Sequence, residues 1–200
     1  MRRSVILLWL ICPFVAAAQE AAGPGEDFFP LAVGNTWTYR VLGQDDRFVV
    51  RVMRKEMIGE QTTFQLEGRV KDKVVATEHL AFTKEGLTRF RADKEDVVPP
   101  VNVLQLPIAR SREWKADFQV GERKSSVKFK RDFFSPNVIA DVPYGRFRAI
   151  KIDAEITPES GGKTLTYIWY AERVGVVKQT IMEGKRPLIV LELEKFEKGE

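Results

Sequence analysis

Apolar and polar side chains alternate along most of this chain with a period of two. Arg47-Phe48-Val49-Val50-Arg51-Val52 puts Phe48, Val50 and Val52 on one face. From Ile150 to Ile156 the even positions are apolar and the odd ones charged. Leu165 to Tyr170 and Ile189 to Leu193 follow the same style. Such alternation predicts strands with one wet face and one buried face. Turn signals punctuate them at Gly43–Asp46, Gly59-Glu60, Lys71–Lys73, Lys84–Gly86, Pro143–Gly145, Ser160–Gly162 and Glu183–Lys185. No capped stretch with a 3.6-residue period competes. The pattern predicts an all-β chain: a single antiparallel, strongly curved sheet that closes wholly or partly into a barrel, with roughly ten to twelve mostly hairpin-connected strands and almost no helix.

Residues 92–111 interrupt the rhythm. Pro99-Pro100 and Pro107 remove backbone donors that a central strand needs, so this segment is expected to cross between two halves, 28–98 and 105–197. The halves look related. Pro30-Leu31-Ala32 precedes Trp37, and Pro107-Ile108-Ala109 precedes Trp114 at the same spacing. Gly59 with Phe64 is echoed by Gly145 with Phe147, and Phe82–Leu87 by Tyr170–Val176. Two duplicated meanders would give this pattern, with insertions in the second.

The start of the chain has a different character. Arg2 and Arg3 precede an apolar run from Val5 to Val15, and Ala16-Ala17-Ala18 ends it with the small-x-small pattern of a signal-peptidase site. The run is shorter than the ~20 residues a spanning helix takes, so cleavage before Gln19 is expected and no transmembrane anchor. The domain reading is therefore 1–18 signal peptide, 19–27 flexible leader and 28–200 one all-β domain. Cys12, the single cysteine, lies in the signal behind Ile11, where a lipobox needs a small residue; lipidation is not expected. The mature chain then holds no thiol, disulfide or thiolate metal site. Loss of Arg2 and Arg3 lowers the formal charge from +4 to +2, too little to draw the protein to nucleic acid. Asn35, Asn102 and Asn137 all fail the glycosylation sequon. Export into a bacterial periplasm or to the outside is the simplest destination.

Three motifs carry a resemblance. Phe29-Pro-Leu-Ala-Val-Gly-Asn-Thr-Trp-Thr-Tyr39 resembles the F/Y-P-L-x-x-G-x-x-W-x-Y opening of a group of exported bacterial proteins of unknown function. Val142-Pro-Tyr-Gly-Arg-Phe147 is similar to their late V-P-x-G-x-F element, and Trp169-Tyr-Ala-Glu-Arg-Val-Gly-Val-Val-Lys178 to their W-F/Y-A-x-x-x-G-x-V-K hairpin. The resemblance implies an exported all-β domain and transfers no catalytic residue. By fold analogy it implies a likeness to periplasmic carriers of lipids or lipoproteins with a curved, incomplete barrel.

Chemistry-bearing residues are few. His79, the single histidine, sits between Glu78 and Leu80 in a strand; Asp93, Glu95 and Asp96 crowd a connection. Neither reads as a metal site, and no cofactor is expected. No G-x-S-x-G, S-x-x-K or H-E-x-x-H occurs, so no catalytic residue is assigned and a hydrolase ranks third among the readings. Lys124, Lys128 and Lys130 read as a basic strand edge, opposite Val127 and Phe129. The leading expectation is a non-catalytic binding module for a lipid or other amphipathic envelope molecule, with Trp37, Tyr39, Trp114 and Trp169 as candidate cavity residues. The alternative is an envelope scaffold that binds a protein partner through a strand edge or the aromatic loop Phe133-Phe134-Ser135-Pro136-Asn137.

Overall fold

The computed structural model describes residues 26–108, 112–131 and 138–199. The expected signal peptide, its cleavage residues Ala16, Ala18 and Gln19, Cys12 and the Phe133–Asn137 loop lie outside the described residues. After one 3-10 turn (Glu26–Phe28) the described chain is strand and turn throughout: β1 (Thr36–Val41), β2 (Arg47–Ile58), β3 (Gln61–Val70), β4 (Lys73–Thr83), β5 (Gly86–Ala92), β6 (Glu95–Gln105), β7 (Glu113–Val120), β8 (Arg123–Arg131), β9 (Val138–Val142), β10 (Gly145–Pro158), β11 (Thr164–Ala171), β12 (Gly175–Glu183) and β13 (Arg186–Glu197).

All pairings are antiparallel, and each strand lies beside its sequence neighbour except where β10 follows β8. β10 pairs with β8 on one edge and β11 on the other, and β13 pairs with β1. Twelve strands therefore close into a barrel, and β9 is the one outside the ring. β9 lies along the first residues of β10, Gly145 to Ala149, which project past the end of β8. The predicted alternation sets which face is buried: Ile150, Ile152 and Ala154 are buried, and the charged residues between them are not.

The two ends of the barrel differ. At one end Trp37 is fully buried between the rings of Phe29 and Phe196, with centroids 5.3 Å away on each side. Its indole N–H donates to Val174 O at 2.5 Å, and Tyr39 Oη donates to Val176 O at 2.8 Å, tying β1 to β12 and the turn before it. The β9–β10 turn closes over the same end, where Tyr144 N–H donates to Leu193 O at 2.9 Å. Gly175 has φ +98°, and a Cβ there would sit 3.3 Å from the Trp37 indole nitrogen; glycine fits both demands. The opposite end carries the turns at Leu42–Asp46, Lys71-Asp72, Asp93-Lys94, Gly121-Glu122, Glu159–Lys163 and Gly184-Lys185.

Two expectations change. Pro99-Pro100 lie inside β6, not in a crossing loop. They are tolerated because the ladder is broken there: β5 shifts register between Arg89 and Arg91, and pairing with β7 stops at Val98. Their missing donors face no acceptor in the ladder. β8 is not an edge, since β7 and β10 flank it; Lys128 reaches Glu113 at 3.0 Å on the outer wall.

The ring closes at β13–β1 over six register pairs, from Thr36↔Glu197 to Val41↔Leu191. Glu192 spans that seam. It accepts from Arg40 at 2.6 Å and from Lys178 at 2.9 Å. Burial pushes its carboxyl pKa up, but these two donors outweigh burial and hold it below the ordinary value. A depressed folded-state pKa contributes stability above the unfolded pKa, and that contribution is lost as pH falls through the folded value. Glu192→Gln should therefore lower the unfolding free energy at neutral pH by about 1–2 kcal/mol, Arg40 being half exposed. Urea titrations of both proteins should converge as pH falls below the ordinary carboxylate range. A gap independent of pH would mean that charge at this seam is irrelevant.

Candidate functional site

The inward faces of the strands do not fill the barrel. They enclose a cavity of about 660 Å³. It runs from Phe29 and Tyr39, under the plugged end, to Gln44, Val75 and Thr164 beside the turns of the other end. Valine, leucine, isoleucine and phenylalanine from all parts of the ring make most of its wall. The space exists because twelve strands give a wider interior than an eight-stranded barrel, which side chains just fill. Phe48 narrows the cavity locally. Its ring lies on Gly68, where an added Cβ would come within 2.6 Å of the ring edge. Glycine at this strand position is a consequence of that close approach.

Two charged residues line this mostly apolar space, whose other polar lining is Gln44, Thr164, Thr166, Gln179, Tyr39 and Tyr170. Glu78 of β4 and Arg89 of β5 both face inward, with Glu78 Oε1 2.7 Å from Arg89 Nη2. Bulges between His79 and Leu80, and between Arg89 and Arg91, set the phase of these strands around the pair. Arg89 Nε is buried with no hydrogen-bond partner. The side chains remain 35% and 37% exposed, which places part of their surface on the cavity. Tyr170, from β11 across the ring, is buried in the same lining. Its phenol pKa is pushed well above the ordinary value, first by burial, with Arg89 pulling down and Glu78 pushing up.

Of the sequence candidates, Tyr39 borders the cavity, while Trp37, Trp114 and Trp169 are absent from its lining. Trp37 is the plug beyond it. Trp114 stacks on Phe129 at 5.0 Å and donates its indole N–H to Asn102 O at 2.8 Å, bridging β7 and β6. Trp169 has the parity of the outer face, where Lys151 and Lys178 approach its ring at 5.7 and 5.9 Å. Its neighbours Ile168 and Tyr170 take the inward positions. Aromatic size alone does not choose a face; parity does.

His79 also lies off the cavity. It is buried, with Nε2 3.3 Å from Glu56 Oε2, and that contact is the first cause of the lowered Glu56 carboxyl pKa. Arg54 and Arg91 approach the same carboxylate. Asp93 accepts from Thr77 N–H, and Asp96 pairs with Arg91 at 2.7 Å. These acidic residues fasten turns and strands. Among the described residues no three His, Asp or Glu side chains converge in a way that could hold a metal, and no helix is long and apolar enough to cross a membrane.

No protein-family model and no curated protein sequence matches this chain. Two crystal structures are similar to it. One is a provisionally named lipoprotein from Parabacteroides distasonis, with a TM-score of 0.53 and 13% identity over 85% of this chain and 98% of that one. The other is a provisionally named exported protein with a YmcC-like fold from Bacteroides fragilis, with a TM-score of 0.49 and 15% identity over 86% of this chain and 99% of that one. The likeness to the Parabacteroides protein is one of fold, and it spans nearly all of that chain.

Proposed function

We propose that this chain is an exported, non-catalytic binding module whose barrel holds the apolar part of an amphipathic envelope molecule, such as a lipid or an acyl chain. The observation that carries the reading is the apolar cavity of about 660 Å³, which falls within the ~300–1,000 Å³ range of small-molecule sites. An interior this large and this apolar is a liability for a protein with no use for it, because unfilled space forfeits dispersion contacts. For a chain-like ligand it is favourable: about ten buried methylenes at ~0.8 kcal/mol each contribute roughly 8 kcal/mol before ordering costs. The signal-like first residues and the lipoprotein name of the Parabacteroides neighbour agree with an envelope setting.

N-phenyl-1-naphthylamine, whose emission rises in apolar surroundings, tests this. The protein should enhance its fluorescence saturably. Ala154→Trp and Ile168→Trp, at two inward positions of the lining, should each weaken the probe about tenfold or more, the equivalent of ~1.4 kcal/mol, while circular dichroism still reports a folded β protein. Absence of saturable enhancement, or undiminished binding in both folded variants, overturns the reading.

A further inference from the structure

We propose that Glu78 and Arg89 are the head-group station of this cavity, and that the station selects a neutral amphiphile bearing an ester or amide beside a hydroxyl or N–H over a free fatty acid. The inference rests on the reading of the cavity as a lipid site and adds the class of ligand.

The argument begins with where the charges stand. An ion pair on the outside of a barrel meets water and contributes little. This pair faces the cavity instead, where the neighbouring wall residues are Leu80, Leu87 and Ala92. Charges in such surroundings call for further hydrogen-bond partners. Arg89 Nε is shut off and has none, but the side chain is 35% exposed and a guanidinium carries N–H groups beyond the one that faces Glu78, so a donor remains for the cavity. Tyr170, buried across the ring, lines the same cavity as the two charges.

The chemistry that completes this arrangement follows from its charge. Glu78 already neutralises Arg89 at 2.7 Å. An ionised ligand carboxylate approaching Arg89 would lie beside a second carboxylate, and like charges in a poorly solvated site repel. A neutral head meets no such penalty. Its carbonyl oxygen accepts from Arg89, and its hydroxyl or N–H donates to Glu78, while the chain occupies the apolar remainder. Acylglycerols and N-acylated alcohols have this combination. A ligand without a polar head would leave the donor unused.

The test is displacement of N-phenyl-1-naphthylamine from the full mature protein by 1-monooleoylglycerol and by oleate, at neutral pH and below the micelle concentration of each. Wild type should bind the monoglyceride about tenfold or more tightly than oleate, ~1.4 kcal/mol. Glu78→Gln removes the repelling charge and leaves Arg89 free, so oleate should gain about tenfold and the preference should vanish or reverse. Glu78→Gln/Arg89→Gln carries no charge at either position; it should lose the gain in oleate binding and serves as the comparison if the single variant folds poorly. The proposal is overturned if wild type binds the two ligands equally, or if both folded variants keep the wild-type ratio. Failure of the probe itself to bind is a separate result: it removes the cavity reading and this proposal with it.

Discussion

Trp37→Ala should lower the unfolding free energy by about 3–5 kcal/mol, the range for deleting a large aromatic from a core. Trp37 has no exposed surface and stacks on Phe29 and Phe196 on its two sides. Its indole N–H also satisfies Val174 O, so removal leaves a carbonyl of the β11–β12 turn unpartnered beside the void. Against a total stability of roughly 5–15 kcal/mol, this is a large fraction. For a chain of this size each kcal/mol moves Tm by about 2–4 °C, so a fall of roughly 6–20 °C is expected. Trp37→Phe keeps a ring in the stack and should cost less. Urea denaturation of the three proteins, followed by circular dichroism, measures the series. A loss under about 1 kcal/mol for Trp37→Ala, the scale of an ordinary substitution, would show that something else holds the closed end.

The second large effect belongs to a residue with no side chain. Gly86 opens β5 with φ +125°, and a Cβ there would sit 2.1 Å from Leu104 O of the paired strand. Gly86→Ala therefore meets two penalties: a backbone region that L residues avoid, and a collision with main chain that cannot swing aside. Overpacking costs about 1–3 kcal/mol, and alanine at an incompatible positive φ costs more than ~1 kcal/mol in addition. A loss of about 2–4 kcal/mol is expected, with Leu87 and Leu104, both almost fully buried, displaced as β5 and β6 part. Gly184→Ala is the control. Its φ is +58° and nothing lies within 4 Å of an added Cβ, so only the backbone term applies. Equal effects of the two substitutions in urea would refute the steric account.

Much of the architecture is written in local signals. The parity of Ile150, Ile152 and Ala154 assigns the buried face of β10, and the glycine-bearing turns fall where strands end. Closure of the ring does not appear in that pattern. It depends on β13 meeting β1, a pairing between the two ends of the chain, and alternation looks the same in an open sheet. Pro99-Pro100 misled because composition forbids a regular ladder there but does not reveal the bulge that accommodates it. The lining of the candidate site is partly legible in the same parity. Glu78 shares parity with Leu80 and Phe82, and Arg89 with Leu87; a charge at an apolar parity position marks a polar group aimed inward. Large aromatics are no guide to the inward face, since Trp169 has the opposite parity to Ile168 and Tyr170. Volume lies beyond any strand pattern, since it is set by how far apart opposing walls stand once the ring is shut.

The two joints between the halves of the ring are unequal. β13 meets β1 over six register pairs, while among the described residues β6 meets β7 through Val97↔Val120 and Val98↔Gln119, and Trp114 adds an indole hydrogen bond to Asn102 O. The free energy needed to part a wall scales with the ladder and packing that must be given up, so the barrel is a book with a stitched spine and a small clasp. Parting the wall at β6–β7 gives up less ladder than parting it at β13–β1. On the proposed reading, that clasp is where a guest bulkier than the cavity of about 660 Å³ would enter from the side.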